Sequence, residues 1–163
     1  MRTITIDLEV IAANYKTLKK ITGGQVLAIV KADAFGHGMI EVSKKLESIG
    51  VDMLGTADVE EALVVRAAGV KSPIMAWLHG KNTQFEEAID HDIQLGASAI
   101  ATLEKIATAA KKVGKVAKVH LKVDTGLGRN GAALASWPAL IEKAVELSKA
   151  GSIDLVGVFS HLS

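Results

Sequence analysis

The amino-acid sequence predicts an α/β fold organised around a parallel sheet, and two observations carry that prediction. Short apolar runs alternate with longer stretches whose apolar residues recur at helical spacing, and the alternation repeats six times over 163 residues. Such regular strand–helix order demands right-handed crossovers, which leaves a (β/α) barrel or a doubly wound sheet. An apolar content of 49% supplies a sizeable core for one domain, and with 2 prolines and no low-complexity or linker-like segment, no domain boundary is expected.

Residues 2–6 alternate like a short strand. Asp7 then caps a helical pattern in which Leu8, Ile11, Tyr15 and Leu18 recur until Gly23-Gly24 stops it. Strand-like runs follow at 26–31, 53–57, 74–78, 93–95, 119–123 and 155–160. Helical patterns separate them at 39–49, 59–68, 83–90, 99–113 and 135–149. Trp77 and Trp137 read as core and helix-start packing residues.

Charge and composition exclude several function classes. Lys+Arg 19 against Asp+Glu 18 gives a net charge of only +1, spread along the chain, so neither nucleic acid nor a membrane surface is an expected partner. The chain has no cysteine, hence no disulfide and no thiolate metal site, which fits a reducing compartment and makes the cytoplasm the expected location. No run has the length of a membrane span, and the Met1 end is polar and acidic, unlike a signal peptide. His79, His91 and the remaining carboxylates show no spacing that recommends a metal site.

The chemistry concentrates where apolar runs end. Lys31 closes the run 26–31 and alternates with Leu27 and Ile29 on one face. It is either a strand-end lysine reaching solvent or a desolvated amine prepared as a nucleophile for a carbonyl cofactor. Alternation likewise puts His120, Lys122 and Asp124 on one face of the fifth run, where parallel strands are normally apolar; this is either a polar patch at a barrel mouth or a wet edge strand. Gly126-Leu-Gly-Arg-Asn-Gly131 satisfies G-x-G-x-x-G, so a dinucleotide-binding turn through Gly126, Gly128 and Gly131 is an alternative, as is a plain glycine-rich turn. Against the dinucleotide, the ribose-binding acid is misplaced: Asp154 precedes the next run, whose end carries Ser160-His161. His161 stands where barrels place functional side chains or is a surface residue near the chain end, and His37 lies between two glycines at a helix entrance open to an anion or to nothing.

Three ordered segments resemble the alanine racemase family: Val30-Lys-Ala-Asp-Ala-Phe-Gly-His-Gly38, Val119-His-Leu-Lys-Val-Asp-Thr-Gly-Leu-Gly-Arg-Asn-Gly131 and Gly157-Val-Phe-Ser-His-Leu162. The resemblance implies a TIM-type (β/α) barrel truncated after about six βα units, since a full barrel needs about 250 residues. The β-rich C-terminal domain, with which residues 2–6 would pair, is then absent. It implies a pyridoxal 5'-phosphate enzyme that interconverts L- and D-alanine for peptidoglycan precursors, working as a homodimer. Lys31 matches the cofactor lysine, which is also one catalytic base. Arg129 matches the arginine near substrate carboxylate and cofactor phenolate, Lys122 a lysine often carried as a carbamate, and His161 a histidine beneath the cofactor ring. Phe35 departs from the usual tyrosine and cannot offer its hydroxyl to the cofactor phosphate. The opposing base is a tyrosine of the partner's C-terminal domain; the phosphate-binding serine and the arginine at the pyridine nitrogen also fall outside this sequence. The resemblance therefore implies a fragment inactive alone and prone to self-association. A racemase of serine or another amino acid, and a non-catalytic partial barrel, are the other readings.

Overall fold

The computed structural model describes residues 2–162. Asp7 accepts hydrogen bonds from the amides of Glu9 and Val10 and so starts helix α1 (Leu8–Thr22), which Gly23 ends in the left-handed conformation. Thereafter come β1 (Leu27–Ile29), a short turn α2 (Lys31–Gly36), α3 (Met39–Ser48), β2 (Met53–Thr56), α4 (Val59–Ala67) and β3 (Ile74–Ala76). The chain continues through α5 (Phe85–Asp90), β4 (Ile93–Ala97), α6 (Ile100–Val113), β5 (Ala117–Lys122), α7 (Trp137–Lys149) and β6 (Ile153–Phe159).

All strand pairs are parallel and their order in the sheet is β1-β2-β3-β4-β5-β6. Sequential order decides between the two architectures. A doubly wound sheet reverses direction at a switch point, whereas strands added one after another curl towards closure as a barrel. The barrel stands open, with β1 and β6 as its edges.

The core lies between the sheet and the helices. Leu54, Ile74, Leu95, Val119 and Leu121 are fully buried on the outer face of the strands, with Val30 just beyond β1, in one core with Leu103, Ile106 and Leu140 of the covering helices. Burying a side chain of this size contributes roughly 1.5–3 kcal/mol. The inner layer is packed tightly where glycines admit aromatic and imidazole rings: a Cβ on Gly96 would lie 2.9 Å from Trp77, and one on Gly157 2.6 Å from His120 Nδ1.

Several boundaries differ from expectation. Residues 2–6 form no strand, because no strand of the sheet pairs with them and alternation without a partner has nothing to bond. Lys31 lies outside β1 and opens α2 instead. Asp124 lies beyond β5, and Trp77 turns to the inner side of the barrel, where it closes over Gly55 and Gly96 rather than joining the core. No described helix is long and apolar enough to cross a membrane.

Candidate active site

At the carboxyl ends of β1, β5 and β6 a cavity of about 290 Å³ opens, lined by Leu27, Ile29, Lys31, Phe35, Trp77, Lys122, Arg129, Phe159, Ser160 and His161. Lys31 reaches it by an uncommon route. Ala32, Asp33, Ala34 and Phe35 all hold φ between +52° and +56°, a full turn of left-handed helix made without glycine. L-residues pay roughly 1–2 kcal/mol each for this conformation, so the turn must be held from outside. Ala34 N–H donates to Val30 O, Gly38 N–H to Asp33 O, and the Asp33 carboxylate accepts the Met39 amide at the start of α3. Because one turn separates them, Lys31 and Phe35 share a side: Lys31 Nζ lies 5.8 Å from the Phe35 ring centroid.

On the opposite wall Lys122 is only 5% exposed and its ammonium sits 5.5 Å from the Phe159 ring. Among the described residues no carboxylate lies within ion-pair distance of it. Desolvation first, then the charges of Arg129 and Lys31, push its pKa below the usual lysine range. His161 is pushed down mainly by Arg129, then by desolvation, Lys122 and Lys31. The two shifts have one physical meaning. Lys122 and His161 each feel the positive charges of Arg129 and Lys31 across the cavity, and Asp124 offsets only part of this at Lys122.

His120, Asp124 and His37 are each satisfied locally. His120 pairs through Nε2 with Gln94 Oε1 at 2.6 Å and packs edge-on against Phe159, which fixes it in the inner layer below the mouth. Asp124 accepts the amides of Gly126 and Gly128, which hold its carboxyl below the ordinary carboxylate range. This counts against the dinucleotide alternative. The amides that would cradle a pyrophosphate already serve Asp124, Gly131 packs against the backbone of Val123 and Asp124, and α7 begins only at Trp137. His37 is spent on the turn, its Nδ1 2.8 Å from Ala34 O.

The cavity thus gathers Lys31, Phe35, Lys122, Arg129 and His161, and leaves Asp124 as a turn residue and His120 as a packing residue. Sequence reasoning missed Trp77 and Phe159 as walls and Glu61 as a support of the Lys31 turn. A capping signal existed for the last: Asp58 and Glu61 have the spacing of an N-terminal capping box.

Comparison with known proteins fits this geometry. The family model described as "Alanine racemase, N-terminal domain" matches residues 6–163. This chain belongs to the alanine racemase N-terminal domain family. An alanine racemase of Beutenbergia cavernae is 43% identical over 97% of the chain, and one of Frankia casuarinae 44% identical over the same share. The crystal structure of alanine racemase from D-cycloserine producing Streptomyces lavendulae superposes with a TM-score of 0.93 at 38% identity, covering 99% of this chain. Another, from Streptomyces coelicolor A3(2), gives 0.92 at 36% over 97%. The chain spans only 42% and 41% of the two curated relatives and 44% and 43% of the two crystal chains.

Proposed function

We propose that this chain is the cofactor-bearing portion of an alanine racemase, holding pyridoxal 5'-phosphate through Lys31. The observation that carries the reading is the convergence of Lys31, Lys122, Arg129 and His161 on one cavity whose lining, among the described residues, contains no carboxylate, a setting that suits an anionic aromatic ligand. When bound, the cofactor supplies an electron sink for the bond broken at the substrate Cα. Lys31 Nζ would be the point of attachment and, when free, would serve as the base that moves the Cα proton on its face. The fork of Arg129 orients a carboxylate or phenolate oxygen. Trp77, Phe159, Leu27 and Ile29 give that end of the cavity an apolar wall. The lowered pKa of Lys122 has the direction that favours reaction of its amine with carbon dioxide, the modification the motif resemblance implies; such a carbamate would form with release of a proton and would align Arg129.

Alanine as substrate, a role in D-alanine supply and a homodimeric assembly are part of the proposal and rest on the relatives' names and on the motif resemblance. The base for the opposite face must come from outside this chain. Its one tyrosine, Tyr15, is bonded to Asp52 at the amino end of β2, away from Lys31. By itself the chain is expected to turn over alanine negligibly; a rate near about ten per second would contradict this. The open edges at β1 and β6 favour self-association, and a monomer in sedimentation with one cooperative unfolding transition would count against it. The direct test is an absorbance titration with pyridoxal 5'-phosphate of the chain and of Lys31→Ala. A saturable visible band lost in the variant is expected, and identical spectra would overturn the assignment.

A further inference from the structure

We infer that Glu61 is a positioning residue for Lys31, acting through the left-handed turn that carries this lysine and Phe35 to the cavity. Glu61 stands on the first turn of α4, where Asp58 accepts its amide hydrogen bond. A capping box would return the Glu61 carboxylate to the amide of its own helix cap. Here both oxygens go elsewhere. Oε2 accepts the Ala57 amide at 2.8 Å, at the end of β2, and Oε1 accepts the Ala32 amide at 2.6 Å, one residue after Lys31.

The carboxylate therefore ties the ends of adjacent strands β1 and β2 together at the point where the chain enters its left-handed turn. Ala32 is the first of four non-glycine residues with positive φ, and its N–H points outward from the turn to Glu61. With that peptide held on the carboxylate, a right-handed or extended conformation at Ala32 would redirect the chain beyond it and swing Phe35 away from Lys31. Hydrogen bonds to a charged acceptor are about twice as strong as neutral ones, and the geometry is bidentate across two strands. Glu61 is not among the residues that line the cavity, and its carboxylate reaches them through the Lys31–Ala32 peptide.

The inference rests on the reading of Lys31 as the cofactor lysine for its consequence, and on the two hydrogen bonds for its substance, so the two are tested apart. Amide exchange is measured for Ala32 and Ala57 in the unliganded chain, in Glu61→Ala, in Glu61→Gln and in Glu60→Gln, a change at the exposed neighbouring acid. Protection at both amides is expected in the wild type and in Glu60→Gln. Exchange should accelerate roughly tenfold or more in Glu61→Ala, with Glu61→Gln between because its amide oxygen keeps one acceptor. In the same variants, pyridoxal 5'-phosphate with borohydride, and separately acetic anhydride, report the labelling of Lys31 relative to Lys44 on α3. A falling Lys31-to-Lys44 ratio in the order Glu61→Gln, Glu61→Ala is expected, with far-UV circular dichroism unchanged. Failure of wild-type Lys31 to take pyridoxal 5'-phosphate would sink the proposed function and leave the exchange and acetylation results to decide the role of Glu61. Unprotected Ala32 in the wild type, or wild-type exchange and labelling ratios in a folded Glu61→Ala, would overturn the inference. Should Glu61→Ala not fold, the wild type and Glu61→Gln decide it.

Discussion

Two turns face each other across the cavity, one after β1 and one after β5, and both run through left-handed backbone by opposite means. After β5 the positive φ angles fall on Gly126, Gly128 and Gly131, and Asp124 within the same loop accepts two of its amides. After β1 they fall on Ala32, Asp33, Ala34 and Phe35, and support comes from Glu61 on a different βα unit. Glycine makes such a turn cheaply but offers no side chains. Where the turn itself must present Lys31 and Phe35 on one side, residues with side chains carry the strain and a distant carboxylate holds them in place.

The sharpest way to break this contrast is to put a side chain into the glycine turn. A Cβ on Gly131 would meet Asp124 N at 2.5 Å and Val123 C at 2.7 Å, both backbone atoms, at φ +141°. Gly131→Ala is expected to cost about 3 kcal/mol. Thermal unfolding should then fall by roughly 6–12 °C, and a shift under about 1 °C would show that the loop is not packed as described. In the other turn, Asp33→Ala removes the acceptor for Met39 N–H and is expected to cost about 1 kcal/mol in denaturant titration. Between the turns, Lys122→Met replaces an unpaired buried ammonium by an apolar chain of similar length and should stabilise by about 1 kcal/mol at neutral pH while weakening anion binding. Its advantage is pH-dependent with a fixed sign. The folded pKa of Lys122 is lowered, so below 10.5 the unfolded chain binds more protons, wild-type stability rises with pH through that window, and the gap to Lys122→Met must narrow. The smallest effect is the most diagnostic of handedness. Ala32→Gly, which in an ordinary helix costs about 1 kcal/mol, should here stabilise by about 0.5 kcal/mol, since relief of left-handed strain slightly exceeds the added freedom of the unfolded chain.

The same contrast explains what was legible in the sequence. Asp7 and Gly23 marked the ends of α1 because capping is local chemistry, and the six strands announced themselves by short apolar runs. Lys31 and Lys122 stood out as charges breaking those runs, and both line the cavity. The glycine turn was visible as a motif, although its amides turned out to serve Asp124. Nothing local distinguishes Ala32-Asp-Ala-Phe35 from a right-handed helix start, so the turn after Lys31 stayed hidden until tertiary contacts were known. Residues 2–6 show the converse, an alternation that looked like a strand but has no neighbour in the sheet to pair with.

The cavity presents Lys31 alone to pyridoxal 5'-phosphate, while Lys122 stays buried behind it. Intact mass followed by peptide mapping, after treatment with pyridoxal 5'-phosphate and borohydride, tests it most directly. The account predicts a single adduct per chain, on Lys31. An adduct on Lys122, or one scattered over surface lysines, would contradict it.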